Sequence, residues 1–344
     1  MSGPQPTPVA VLGATGLVGE RILLRLARHP WFRVAEVAAS QRSAGALLRE
    51  RISPDVAAAL PGAVSEFILK GPGDALSSPL VLSALPSGAA REVEPRLAAA
   101  GHLVVSNASA FRAHPGIPLI IPEINAGHLE LLTPRAGGIV TNPNCAVAPL
   151  ALALAPLHRA FRVERVVATT FQAVSGAGKD GPTVLDLLDN LFPVIAGEEE
   201  KVEREAQKLL GSVEGGEVVP ADFPVSATTT RVPVLHGHMV DLSVAFSRPV
   251  SVDEARAVME LFNPGPELPS LPSPPLHVTD DPLRPQPRLD RDRGGGMTVT
   301  VGRIRPCRVN HLRFLALAHN LERGAAGAAV SNAELCAHRE WIPG

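Results

Sequence analysis

Near the start of the chain, the apolar run Val9-Ala-Val-Leu12 passes straight into Gly13-Ala-Thr-Gly16-Leu-Val-Gly19. From Leu17 to His29 the apolar residues Leu17, Ile22, Leu23 and Leu26 recur at helical spacing. A buried strand that turns on glycines into a helix opens a parallel α/β unit, and few other folds accommodate it. The glycines let the backbone turn tightly and approach a ligand, while the helix N-terminus offers amide donors to a diphosphate. Gly13, Ala14, Thr15, Gly16, Leu17 and Val18 are therefore the candidate dinucleotide-binding turn. The spacing is Gly-x-x-Gly-x-x-Gly and not the commoner Gly-x-Gly-x-x-Gly, so the flanking strand and helix carry the reading against an ordinary tight turn.

The next strand, Arg33 to Ala39, ends in Ser40-Gln-Arg42-Ser43. An NAD-binding unit places an acidic residue there for the ribose 2′-hydroxyl. Arginine with two hydroxyls suits a 2′-phosphate and predicts NADP; the alternative is a solvated loop arginine. Apolar strands at 80–85, 102–105 and 118–121, with a helical stretch at 89–100, extend the alternation into a doubly wound parallel sheet. Ligands bind beyond the carboxyl ends of such strands, which makes Pro86-Ser87-Gly88 and Ser106 to Arg112 site candidates.

Gly137 to Thr141 reads as one more strand, Asn142-Pro143-Asn144 as a turn, and Ala146 to Leu157 as a helix with Pro149 in its first turn. Cys145 falls at the junction, where a helix N-terminus favours thiolate and lowers the pKa. Inert packing is the competing role for a free cysteine. The chain has three cysteines, too few and too scattered for a disulfide framework or a zinc site, so no metal is expected and a reducing compartment fits. A net charge of −2 gives no basic face for nucleic acid. No apolar run reaches membrane-spanning length and no secretory leader is visible, which predicts a cytoplasmic protein with small-molecule ligands.

At 344 residues the chain exceeds what one core usually supports. Beyond the cysteine helix, Arg165 to Gln172 is a strand ending in the glycine turn Ala173-Val-Ser175-Gly176-Ala177-Gly178, and 183–195 reads as an apolar helix. The charged helix 198–210 reads by default as a solvated face. Strands at 225–238, 240–246, 297–303 and 312–318 predict an antiparallel sheet in a second, α+β domain. Residues 263–290 are proline-rich and read as an irregular surface excursion. The expected division is a Rossmann-type dinucleotide-binding domain over 1–143, a catalytic and dimerisation domain with a mixed or antiparallel sheet over 144–319, and a last segment, 320–344, that returns to the first domain.

The chain resembles the aspartate-semialdehyde dehydrogenase family in its archaeal and fungal branch. The likeness rests on Gly13 to Gly19, Ser106-Asn-Ala-Ser109 with Arg112, Thr141-Asn-Pro-Asn-Cys145, Gln172 to Gly178, Gly197-Glu-Glu-Glu-Lys201, and Arg231-Val-Pro-Val with Gly237-His238, in the family's order over nearly the whole length. The resemblance implies that Cys145 attacks the acyl phosphate of 4-phosphoaspartate, leaving a thioester that NADPH reduces to the semialdehyde, a step toward lysine, threonine, methionine and isoleucine. It implies His238 as general acid/base, Gln172 as orienting group, Arg231 as clamp on the substrate carboxylate, and Glu198 facing the substrate amine. Lys201, Arg112 and Asn144 would hold phosphate, and Ser87, Ser175, Gly176 and Asn320 would join the cofactor site. A homodimer or homotetramer is implied as well. Ala146-Val147 stands where the family has serine or threonine after its cysteine, and Met239-Val-Asp follows His238 where a small polar residue and a glutamate are common. Malonyl-CoA reductase, N-acetyl-glutamyl-phosphate reductase and a non-catalytic paralogue are the competing readings.

Overall fold

The computed structural model describes residues 5–179 and 181–344. Strands β1 (Thr7–Leu12), β2 (Phe32–Ala38), β3 (Leu80–Ser83), β4 (Leu103–Ser106) and β5 (Gly138–Thr141) form a sheet ordered β2-β1-β3-β4-β5, parallel throughout. Both faces are covered, which is why these strands read as unbroken apolar runs. Val9 and Val11 pack on one side with Ile22, Leu23 and Leu26 of the helix Leu17–Leu26, and Ala10 and Leu12 pack on the other with Val93. The helix Gly327–His338 adds Ala329, Val330, Ala333 and Leu335 to the first of these clusters, against β3 and β4. The strand order reverses at β1, so a crevice opens beyond the ends of β1 and β3.

The strand expected at 118–121 is reduced to a bridge between Leu119 and Thr141, tied by Thr141 Oγ1 donating to Pro118 O at 2.8 Å. Prolines at 118 and 122 remove the donors that a ladder would need at each end.

The remaining strands are β6 (Val163–Gln172), the hairpin β7 (Ser212–Glu214) and β8 (Glu217–Val219), β9 (Val225–Arg231), β10 (His238–Phe246), β11 (Leu276–Thr279), β12 (Val299–Pro306) and β13 (Leu312–Ala318). Apart from the hairpin they form one sheet, ordered β11-β12-β13-β10-β6-β9. It is mixed rather than antiparallel, because β6–β9 and β11–β12 are parallel pairs. The helix Val147–Phe161 is buried along most of its length against one face, packing on Val240, Leu242, Val244, Phe314 and Ala316.

Two other expectations change. Residues 183–195 form no α-helix: a short 3-10 turn, Leu185–Leu187, is followed by irregular chain, and Leu185, Leu188, Leu191 and Val194 are exposed. Asp189 takes φ +58°, outside the range of a right-handed helix, and Pro193 breaks the run. The proline-rich excursion also contains β11 and the short helix Pro287–Asp290. β11 is an edge strand, the place in a sheet where neighbouring prolines are tolerated.

Candidate active site

Parallel pairing sets Gln172, the last residue of β6, opposite Arg231, the last residue of β9. Antiparallel pairing of Met239 with Phe171 sets His238, the first residue of β10, beside them. Three residues far apart in sequence thus meet at one end of the second sheet. Gly176 fills the space between two of them: a Cβ there would lie 2.8 Å from His238 Nε2 and 2.9 Å from Arg231 Nη1. Arg231 Nη1 donates to Ala173 O at 2.8 Å, fixing its guanidinium in the cleft.

His238 is fully buried, and its Nδ1 accepts from the Ala173 N–H at 3.0 Å. That bond assigns the ring proton to Nε2, which has no partner among the described residues. Burial, with Arg231 and His319 nearby, pushes the ring down to about 3, so the imidazole is neutral. Of the general acid/base role implied by the resemblance, this geometry supplies the donor half, a neutral Nε2–H available to an oxygen that develops charge.

Cys145 lies at the start of the helix, as expected. The helix begins at Val147 with Ala146 at its N-cap, and Asn144 ties the turn before it: its side-chain oxygen accepts from the Ala146 N–H at 2.8 Å, and its backbone oxygen accepts from Val147 and Ala148. The helix start does not lower the pKa of the thiol overall. Burial and the Glu198 carboxylate push it up to about 12, opposed by Arg112 and Arg231. The expected lowered pKa is overturned because desolvation outweighs two cations in an enclosed cleft. Close against the thiol runs the π-helix Glu322–Ala326, where a Cβ on Gly324 would meet Cys145 Cβ at 2.5 Å.

The charged helix Glu198–Leu209 is no solvated face. Glu198, Glu205 and Lys208 are buried on it, Glu205 two turns beyond Glu198 and Lys208 one turn further, so that all three share a face. Glu198 accepts from the Asn144 side-chain amide and lies 3.7 Å from Lys201, which stays partly exposed. Glu205 joins two parts of the site, accepting from Arg112 Nη1 at 3.2 Å and from the Asn144 N–H at 2.5 Å; burial raises its pKa. Lys208 donates to the backbone oxygens of Arg112, His114 and Ile117 at 2.5–2.8 Å and so pins the segment that carries Arg112. Sequence reasoning missed Glu205 and Lys208, although the spacing from Glu198 to Glu205 repeats on one helix face.

In the crevice of the first sheet lies a cavity of about 580 Å³ lined by Gly13, Thr15, Gly16, Ser40, Arg42 and Lys179, among others. Gly13 takes φ +69°, and a Cβ on it would stand 2.5 Å from Ala84 O, so the turn admits only glycine there. Asp74 shares the lining but accepts from the Gly71 N–H. Ala14, Leu17, Val18 and Ser43 flank the lining residues without lining the cavity themselves, and Ser87 opens the helix Ser87–Ala99, bonded to Ser109 Oγ at 2.9 Å. Ser175 and Asn320 are apart from this cavity: Asn320 bridges Ser175 Oγ and the Gly237 N–H, bracing the turn before His238.

The relatives of this chain share that architecture from end to end. Residues 8–132 match the family model described as semialdehyde dehydrogenase, NAD binding domain, and 154–323 match semialdehyde dehydrogenase, dimerisation domain. The aspartate-semialdehyde dehydrogenase of Archaeoglobus fulgidus is 46% identical over 336 residues, covering 95% of this chain and 97% of its own. The chain belongs to the aspartate-semialdehyde dehydrogenase family. Among solved aspartate-semialdehyde dehydrogenases, the Candida albicans enzyme, whose structure is described as being with NADP, superposes with TM-score 0.88 at 34% identity, over 98% of this chain and all of that one. Form II from Vibrio cholerae superposes with TM-score 0.79 at 28% identity over 97% and 99%. The rival reductases are not favoured by these relatives.

Proposed function

We propose that this chain is an NADP-dependent aspartate-semialdehyde dehydrogenase that interconverts 4-phospho-L-aspartate and L-aspartate 4-semialdehyde, within the synthesis of lysine, threonine, methionine and isoleucine. The observation that carries the reading is the meeting of Arg231, Gln172 and His238, whose Nε2–H has no partner among the described residues, at one sheet end, with Arg231 close enough to Cys145 to act on its charge. Cys145 Sγ attacks the acyl carbon to form the C–S bond and a tetrahedral oxyanion; its collapse breaks the C–O bond, and phosphate leaves with the electron pair and carries off the thiol proton as hydrogen phosphate. His238 Nε2–H donates to the oxyanion of each tetrahedral species, and Gln172 orients the carbonyl. The Arg231 fork holds the substrate α-carboxylate and Glu198 its ammonium. Arg112, Lys201 and Asn144 hold the departing phosphate.

The glycine turn and the Arg42–Ser40 lining fit a phosphorylated dinucleotide, and NADPH, when bound, supplies the hydride that reduces the thioester carbonyl. Residues 1–143 with 320–344 serve as the cofactor unit and 144–319 as the catalytic and pairing unit, in a cytoplasmic homodimer or homotetramer. The exposed apolar stretch around Leu188 and Leu191 supports pairing through the second sheet.

The test is phosphate-dependent reduction of NADP by aspartate semialdehyde, run beside NADPH oxidation with malonyl-CoA. The expected result is turnover in the first assay alone, with Arg42→Ala losing NADP affinity selectively over NAD. Activity confined to malonyl-CoA would overturn the assignment.

A further inference from the structure

Glu20 stands in the first turn of the helix that follows the glycine turn, and it is buried. Its carboxylate accepts from Ser53 Oγ at 2.7 Å and the Ser53 N–H at 3.3 Å, contacts that hold it at the helix mouth. A carboxylate there is favourable to the helix dipole and unfavourable to any diphosphate drawn to the same amides, because the two carry like charge. Among the described residues, one cation reaches it. Lys179, from the turn that follows β6 in the second domain, donates to Glu20 Oε1 at 2.7 Å and to Thr15 O, in the glycine turn itself, at 2.7 Å. It lines the cavity together with Gly13, Gly16 and Arg42.

We propose that Lys179 is a cofactor-binding residue supplied across the domain boundary, which contacts the dinucleotide diphosphate and neutralises Glu20 so that the helix mouth accepts an anion. This rests on the reading of the cavity as the NADP site. Lys179 is three residues beyond Gly176, the spacer against His238 and Arg231, so one short turn touches both the cofactor cavity and the catalytic end of the sheet. Lysine suits the position: a compact ammonium with several donors holds Glu20 and the Thr15 carbonyl while keeping a donor for a phosphate oxygen.

The experiment is calorimetric titration of NADP into the full-length wild type, Lys179→Met, Lys179→Arg, Glu20→Gln and the Lys179→Met/Glu20→Gln double variant, at low and moderate salt. Lys179→Met is expected to weaken binding by about ten-fold or more, the worth of a charge-assisted hydrogen bond, and to flatten the salt dependence. Lys179→Arg should stay near wild type. Adding Glu20→Gln to Lys179→Met should recover a large part of the loss, because the uncovered carboxylate is then gone. Wild-type affinity in Lys179→Met would overturn the proposal, as would a double variant no better than Lys179→Met alone. Because Lys179 is partly exposed, melting temperatures of the apo variants should match wild type; a collapse shared by Lys179→Met and Lys179→Arg would assign the residue to folding and overturn the proposal too. A wild type that binds no NADP would instead overturn the functional reading above.

Discussion

At the scale of single residues, Cys145, the proposed nucleophile, is held protonated by its surroundings. Burial and Glu198 raise its pKa to about 12 while Arg112 and Arg231 pull the other way, so in the free protein the thiolate is scarce at neutral pH. The sign has a consequence for mutation: removing the Glu198 charge removes a cause of the upward shift and should increase thiolate. Alkylation of Cys145 by iodoacetamide, followed by intact mass from pH 6 to 10, is expected to accelerate throughout that range in the wild type. In Glu198→Gln it should run about ten-fold faster at pH 8, about one pKa unit of change. A plateau below pH 7 in the wild type would show that the helix, not the cleft, sets the thiol's acidity. Turnover by Glu198→Gln should nonetheless fall, since the same carboxylate is assigned to the substrate ammonium. Activation of the sulfur would then belong to the loaded enzyme, in which substrate and cofactor have displaced water and the cationic clamps are aimed.

At the scale of elements, the helix Glu198–Leu209 organises, through buried charge, the Arg112 side of the cleft, where phosphate is proposed to bind. Lys208 ties three backbone oxygens of the 112–117 segment, and Glu205 ties that segment's Arg112 to the Asn144 amide. Burial lowers Lys208 to about 8, close to where its charge is lost in mildly alkaline solution. Lys208→Met keeps the length of the side chain and strands those carbonyls without a donor. It should cost about 3 kcal/mol of stability. The more specific expectation is a raised KM for phosphate with little change in NADP affinity, because Arg112 moves and the cofactor crevice does not. Unfolding in urea with parallel phosphate titrations would check both; an equal loss for phosphate and NADP would mean general loosening of the fold.

At the scale of the whole molecule, the second sheet keeps one face for its own helix and leaves apolar surface beside the other. Val167 on β6 is about half exposed, and Leu185, Leu188, Leu191 and Val194 are exposed on the stretch where a helix was expected. Surface of this kind marks a site of association. Replacing Leu188 and Leu191 together by Asp should convert the assembly to monomers in light scattering, while far-ultraviolet circular dichroism stays unchanged. An unaltered mass would place the subunit contact elsewhere on the domain.

The strand, glycine turn and helix at the start of the chain were legible because their signals are local: a buried strand is apolar throughout, and a positive φ with a carbonyl at 2.5 Å demands glycine at position 13. Cys145, Gln172, Arg231 and His238 were identifiable through short blocks that resemble a known family. The meeting of Gln172, Arg231 and His238 at one sheet end was not, since it follows from strand register between segments about 60 residues apart in sequence, as in the pairing of Gln172 with Arg231. The charged helix looked solvated because composition does not say which charges find buried partners; the oxygens that pair Lys208 and the arginine that pairs Glu205 lie more than 90 residues away. The acidity of Cys145 turned on the same difference. Sequence placed it near a helix start, whereas desolvation and a neighbouring carboxylate, which only the tertiary fold supplies, decided the direction of its shift.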